Sequence, residues 1–240
     1  MSARAALVTG ASSGIGLAIA HVLGEEGYGL TVAARRPDKL EAAAEELRGA
    51  GFTVEAVAGN MADADDVARV VAAHRERFGR LDVLVNGAGV GVGAAVGEML
   101  DKRVDLQLDV NLRAPILFYR ETADLLRAAG AEHRNALVVN LASISGKSGQ
   151  AWLSVYSATK AGLIGFTQAM NRELAGEGVK SVALAPGFVD TPMADFVKEA
   201  IPAEEMIRTS DIAEAVRFLL RLSPNCVIPE IVFQRPNEAL

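Results

Sequence analysis

The chain has 240 residues, with 50% hydrophobic and 22% charged side chains and a formal net charge of −6. This composition excludes a mainly disordered chain, because the apolar surface is ample to offset chain entropy. The acidic balance, with a pI near 5.2, disfavours nucleic acid as a partner but leaves room for a small basic pocket around a phosphate. A lone Cys226 excludes a disulfide scaffold and fits a reducing, cytoplasmic setting.

Residues 5–24 carry no Lys, Arg, Asp or Glu and follow Arg4, a pattern shared with signal peptides and membrane spans. Gly10, Gly14, Gly16 and Gly24, with Thr9, Ser12 and Ser13, interrupt what would otherwise be an apolar helix. A soluble protein with no membrane partner is therefore expected.

Short apolar runs alternate with helical patterns along the chain. The run 5–8 enters a glycine-rich turn and a helix over 15–25. The run 30–34 precedes a helix over 37–48, opened by the first-turn pair Pro37-Asp38. The run 52–57 precedes a helix over 63–78, with Val67, Val70 and Val71 at helical spacing. The run 83–85 precedes one long helix from about 100 to 129. The run 136–139 precedes a helix over 155–175. The run 181–184 precedes a last helix over 211–222, with Ser210 as its candidate cap. The runs 227–228 and 231–233 close the series.

Nearly continuous apolar runs are the mark of strands buried on both faces. Their alternation with helices, joined by right-handed crossovers, predicts an α/β fold. The expected form is a single-domain, doubly wound parallel sheet of about seven strands with helices on both faces, spanning residues 1–240.

The first run leads into Thr9-Gly10-Ala11-Ser12-Ser13-Gly14-Ile15-Gly16. Glycines there allow a tight turn and close approach to a pyrophosphate, and the following helix offers its free N–H groups to the anion. A purely structural turn is the alternative, and the position between a buried strand and a helix weighs against it. Tyr156 and Lys160 stand at i and i+4, on one helix face. A phenol titrates near 10, too high for efficient proton exchange at neutrality, and a nearby ammonium favours its ionised form. The three histidines, His21, His74 and His133, show no metal-ligand spacing.

The glycine spacing is G-x-x-x-G-x-G after a threonine. Asn86-Gly87-Ala88-Gly89, Asn111, Ser143, Tyr156-x-x-x-Lys160 and Pro186-Gly187 with Thr191 follow in order. On these motifs the whole chain resembles the short-chain dehydrogenase/reductase family, in its NADP-preferring branch of about 240 residues. Gly87 departs from the second Asn of the family's N-N-A-G. The resemblance implies a Rossmann-type fold and hydride transfer between NADP(H) and a carbonyl or secondary alcohol. Tyr156 is then the acid/base, and Lys160 lowers its pKa and bonds the nicotinamide ribose. Ser143 positions the substrate oxygen, and Asn111 holds a water that links Lys160 to solvent.

The second run ends Ala33-Ala34-Arg35-Arg36-Pro37, with no acid to bond the ribose hydroxyls of NAD. Guanidinium groups match a phosphate, so Arg35 and Arg36 point to NADP(H), with Ser12 or Ser13 adding a hydroxyl. Asn60 stands where the family commonly has an adenine-facing Asp, with Met61 beside it. The remaining expected cofactor contacts are Gly10, Gly14, Ile15, Gly16, Asn86, Gly87, Ala88, Gly89, Tyr156, Lys160, Pro186, Gly187, Val189 and Thr191.

The substrate side is less legible. Small residues over 90–95 and the pair Trp152-Leu153 are candidate pocket walls, and 189–209 is expected to form a lid. The end of the chain lacks the G-Q-x-x-x-V-D-G-G segment of fatty-acid-type members. That departure points away from a standard ketoacyl-carrier reductase and toward reductases of hydroxy acids, pterins or miscellaneous ketones. The resemblance also implies a homodimer or homotetramer. The alternative is an NADP-sensing regulator without turnover, which has no need of a proton donor.

Overall fold

The computed structural model describes residues 4–236. The strands are β1 (Ala5–Thr9), β2 (Gly29–Ala34), β3 (Val54–Ala58), β4 (Val83–Asn86), β5 (Ala136–Leu141), β6 (Val179–Pro186) and β7 (Glu230–Phe233). They form one parallel sheet in the order β3-β2-β1-β4-β5-β6-β7. The order reverses between β1 and β4. In open α/β sheets, ligands bind outside the strand ends at such a switch point.

The helices are α1 (Gly14–Glu25), α2 (Pro37–Gly49), α3 (Ala64–Phe78), α4 (Asp101–Leu108), α5 (Ala114–His133), α6 (Ser154–Leu174) and α7 (Thr209–Leu220). Alternate strand residues feed two cores. Ala6, Val8, Val83 and Val85 pack with Ile19, Leu23, Leu40, Leu47 and Val216 of α1, α2 and α7. Leu7, Leu84 and Val138 pack with Val67, Val70, Phe118 and Leu126 of α3 and α5. A sheet covered on both faces explains why its strands are nearly continuous apolar runs. Among the described residues, no helix is long and apolar enough to cross a membrane.

The structure departs from the expected elements in three places. The long helix expected over 100–129 is two helices joined by a π turn at Asp109–Arg113, where Ala114 N–H reaches back to the Asp109 carbonyl. Residue 115 is proline and has no N–H to continue the series, so the break has a covalent cause. Ser210 does not cap α7. The cap position is Arg208, whose N–H donates to Asp211 Oδ2 at 3.0 Å. Residues 227–228 lie outside β7, beyond the Pro229 whose carbonyl accepts the Ala183 N–H. Residues 192–205 hold the short 3-10 turns Pro192–Val197 and Ala203–Glu205.

Candidate active site

The glycine loop closes on itself at the switch point. Gly10 has φ +70° and sits so close to the turn after β4 that a Cβ there would stand 2.6 Å from the Gly87 carbonyl carbon. A Cβ on Gly16 would stand 2.4 Å from the Gly10 oxygen. Thr9 stitches the two loops together. Its hydroxyl donates to the Val85 carbonyl at 3.3 Å and accepts from Gly87 N at 3.1 Å and Ala88 N at 3.2 Å. Asn86 is buried below, its Nδ2 donating to Asn140 Oδ1 at 2.8 Å while its own Oδ1 is buried without a partner.

α1 starts at Gly14 with no side-chain cap on its N–H groups and no acid in its first turn. Beside it lies a cleft of about 280 Å³ lined by Ser12, Ser13, Leu17, Arg36, Lys39 and Pro192, among others. Neither Arg36 nor Lys39 forms an ion pair among the described residues, and the one lining acid, Glu46, is 2.7 Å from His21. A bare helix start, two hydroxyls and two cations suit a phosphate-bearing cofactor. Arg35 is exposed but absent from the lining, so the two arginines are not equivalent. Lys39 escaped the sequence reading. Its signal was the i, i+3 spacing from Arg36 across the start of α2.

Asn60 and Met61 stand at the end of β3. Asn60 Oδ1 already accepts from Ala62 N at 3.3 Å, and Asp66 Oδ2 accepts from Asn60 N at 2.7 Å. The Met61 side chain is buried in the core. At the end of β6, the Pro186 carbonyl is 3.5 Å from Ser143 Oγ, and Gly187 N donates to the Phe233 carbonyl at 2.9 Å. Val189 is buried and bridged to Ile207. Thr191 touches the phosphate loop, since a Cβ on Gly14 would stand 3.0 Å from Thr191 Cγ2. Ile15 is half-buried at the start of α1.

The catalytic candidates converge beside this loop. Ser143 follows β5, and Tyr156 and Lys160 share a face of α6. Lys160 Nζ lies 5.6 Å from the Tyr156 ring centroid and donates to the Leu141 carbonyl at 2.6 Å. Ser143 Oγ accepts from Ser145 N at 3.1 Å. Asn111 lies in the π turn, with Oδ1 accepting from Val90 N and Nδ2 donating to the Val90 carbonyl, both at 2.8 Å. Nδ2 also reaches Thr159 Oγ1 at 3.2 Å. Asn111 Oδ1 and Lys160 Nζ each lie 3.6 Å from where a Gly89 Cβ would stand.

Burial sets the electrostatics of this geometry. Burial raises the Tyr156 phenol above its ordinary value of 10, opposed by a hydrogen bond with Ser143. Burial also lowers Lys160 from 10.5 to about 8. Desolvation disfavours the charged forms of both groups in the cofactor-free protein. The Asn111 side chain ties the Val90 loop to α6.

Comparison with known proteins identifies the family. The family model for short chain dehydrogenase matches residues 4–202. A putative ketoacyl reductase of Streptomyces coelicolor is 38% identical over 235 residues, covering 90% of this chain and 89% of that protein. The 3-oxoacyl-(acyl-carrier-protein) reductase FabG of Staphylococcus aureus is 38% identical over 226 residues, covering 90% of each. An actinorhodin polyketide ketoreductase variant solved with NADPH superposes with a TM-score of 0.87 at 34% identity, covering 97% of each chain. The C-terminal departure thus does not separate this chain from proteins named as ketoacyl reductases. The chain belongs to the short-chain dehydrogenases, a family of oxidoreductases that use a nicotinamide cofactor.

Proposed function

We propose that this protein interconverts a ketone and its secondary alcohol with NADP(H), using Tyr156 as the proton donor and acceptor. The observation that carries this reading is the meeting of Ser143, Tyr156, Lys160 and Asn111 next to a cleft with uncommitted cations. A bound NADP(H) supplies or takes the hydride. Arg36, Lys39 and the serines of the loop favour the 2′-phosphate form. In the reducing direction Tyr156 gives its phenolic proton to the carbonyl oxygen, and Ser143 hydrogen-bonds the same oxygen. Lys160 holds positive charge beside the phenolate that forms. Asn111 fixes the loop wall and α6 relative to one another.

A 3-oxoacyl thioester is a second substrate reading, favoured by the names of the two curated relatives. We further take 189–209 as a lid. Exposed Leu108 on α4 and Ile116 on α5 support the expected homo-oligomer. The test follows NADPH consumption with a panel of ketones and 3-oxoacyl thioesters, in the intact protein and in Tyr156→Phe. Turnover should fall about 10²–10⁴-fold in the variant, with NADPH binding retained. Equal turnover in both proteins overturns the mechanism. NADPH binding with no turnover of any panel member favours a sensor.

A further inference from the structure

Trp152 has a left-handed backbone, with φ +69°. Among the described non-glycine residues only Arg134 shares such a φ, and it ends α5 as a helix cap. A bulky residue stays in this conformation only where its surroundings hold it. Here the Trp152 carbonyl accepts the Ala94 N–H at 2.9 Å. The indole rests against Gly93, where a Cβ would stand 2.2 Å from Cε3 and 2.3 Å from Cζ3. Two residues earlier, Gly91 meets the Tyr156 ring, with a Cβ position 3.8 Å from Cδ2 and Cε2. One loop therefore runs from the proton-donor ring to the indole. Yet the indole is 59% exposed, so burial of the ring does not account for the strained backbone.

The surroundings indicate what the free part of the ring would meet. β4, β5 and β6 are neighbours in the sheet. The loops leaving their C-terminal ends carry exposed Val96, Leu100, Trp152, Met193 and Phe196. The lysines and arginines of these loops are all paired with acids. Lys147 is 2.8 Å from Glu230, Lys198 is 2.8 Å from Asp195 and 3.1 Å from Asp190, and Arg208 is 2.8 Å from Asp211. A substrate carboxylate would lose water there without gaining a free cation, which is unfavourable. An apolar ring would cover apolar surface and stack on an aromatic face.

We propose that Trp152 determines substrate specificity by stacking on a flat, apolar group next to the carbonyl, so that uncharged ring-bearing ketones are preferred over keto acids. This rests on the reading of Tyr156 as proton donor to a ketone. Trp152 is the only tryptophan of the chain, so its fluorescence gives a readout independent of turnover. The NADPH-loaded protein, which has no hydride acceptor for an alcohol, is titrated with 1-phenylethanol and, separately, with lactate. A saturable blue shift with 1-phenylethanol alone is expected, in the intact protein and in Tyr156→Phe alike. Emission unmoved up to the solubility limit of 1-phenylethanol, or shifted equally by lactate, overturns the proposal.

The kinetic arm uses Trp152→Gly, because glycine adopts this backbone without strain. Its preference for acetophenone over 2-butanone, as a ratio of kcat/KM, should fall about tenfold. An unchanged ratio overturns the proposal. If the intact protein reduces neither ketone, or Tyr156→Phe reduces both as well as the intact protein does, the Tyr156 reading fails instead. The fluorescence titration still decides the role of Trp152.

Discussion

Lys160 Nζ stands beside the Tyr156 ring, 5.6 Å from its centroid, and donates to the Leu141 carbonyl at 2.6 Å. One main-chain acceptor does not replace the water that a buried ammonium gives up, and burial accordingly lowers Lys160 to about 8. The folded protein binds this proton less tightly than the unfolded chain does. The resulting penalty is full below about pH 8 and fades as pH rises from 8 to 10.5. Lys160→Met should therefore stabilise the cofactor-free protein at pH 7 by about 1–3 kcal/mol, allowing for the lost hydrogen bond. The gain should shrink toward pH 10.5, the ordinary value for lysine. Turnover should fall sharply in the same variant. Urea unfolding across this pH range checks it, and a less stable variant at pH 7 would refute the assignment of a buried charge.

Arg36 and Lys39 line the cleft beside Ser12 and Ser13, whereas Arg35 does not. Loss of one charge-assisted contact costs about 1.5–3 kcal/mol, or roughly 10- to 150-fold in affinity. Arg36→Ala should weaken NADPH by that factor and leave NADH within about twofold. Lys39→Ala should act in the same direction, and Arg35→Ala much less. Calorimetric titration with both cofactors separates the three. An Arg35 effect as large as that of Arg36 would place the phosphate elsewhere.

The legible parts of the fold and site are those that depend on side-chain type at fixed spacing. β1 reads as a strand because Ala6, Leu7 and Val8 feed two cores at once, and Tyr156 and Lys160 share a face because helical period places them there. Features set by hydrogen-bond register were not legible. The π turn at Asp109–Arg113 leaves the apolar period nearly unchanged, and Pro115 is its only mark in the sequence. The choice between Arg35 and Arg36 depends on the direction in which the chain leaves β2. Ser210 has a capping hydroxyl, but the Asp211 carboxylate bonds the Arg208 N–H and moves the helix start upstream.

His74 offers a pH prediction distant from the site. It is fully buried, with Nδ1 2.7 Å from Thr31 Oγ1 and Nε2 2.9 Å from the Arg80 carbonyl. Burial lowers its pKa from 6.5 to about 4. The unfolded chain therefore takes up a proton that the folded protein refuses. Stability from this group is complete above pH 6.5 and is lost as pH falls toward 4. The loss should approach about 3 kcal/mol at the acid end. His74→Gln should unfold more easily at pH 7 but show a shallower decline with acid. Parallel declines in the two proteins would exclude His74 as the source.

The proposed lid is tied at its ends and loose between them. Val189 pairs with Ile207, Asp190 N donates to the Ile207 carbonyl at 2.9 Å, and Ile207 N donates to the Phe188 carbonyl at 3.0 Å. Val189, Met206 and Ile207 are buried, which anchors the hinge ends in the core. Between them, Met193 and Phe196 are exposed, and only two short 3-10 turns supply local order. With Ala194 alone buried between 190 and 205 and only short-range backbone bonds there, the segment opens easily. Thr191 already touches Gly14, and Pro192 lines the cleft with Arg36 and Lys39, so a ligand there meets the base of the lid. Amides over 193–205 should exchange quickly in the empty protein and slow on addition of NADP⁺ with a secondary alcohol. The Asp190 and Ile207 amides should stay protected in both states. Closure of this kind would exclude water from hydride transfer. Slow exchange over 195–205 without ligand would show a permanently packed segment and remove the lid from the reading.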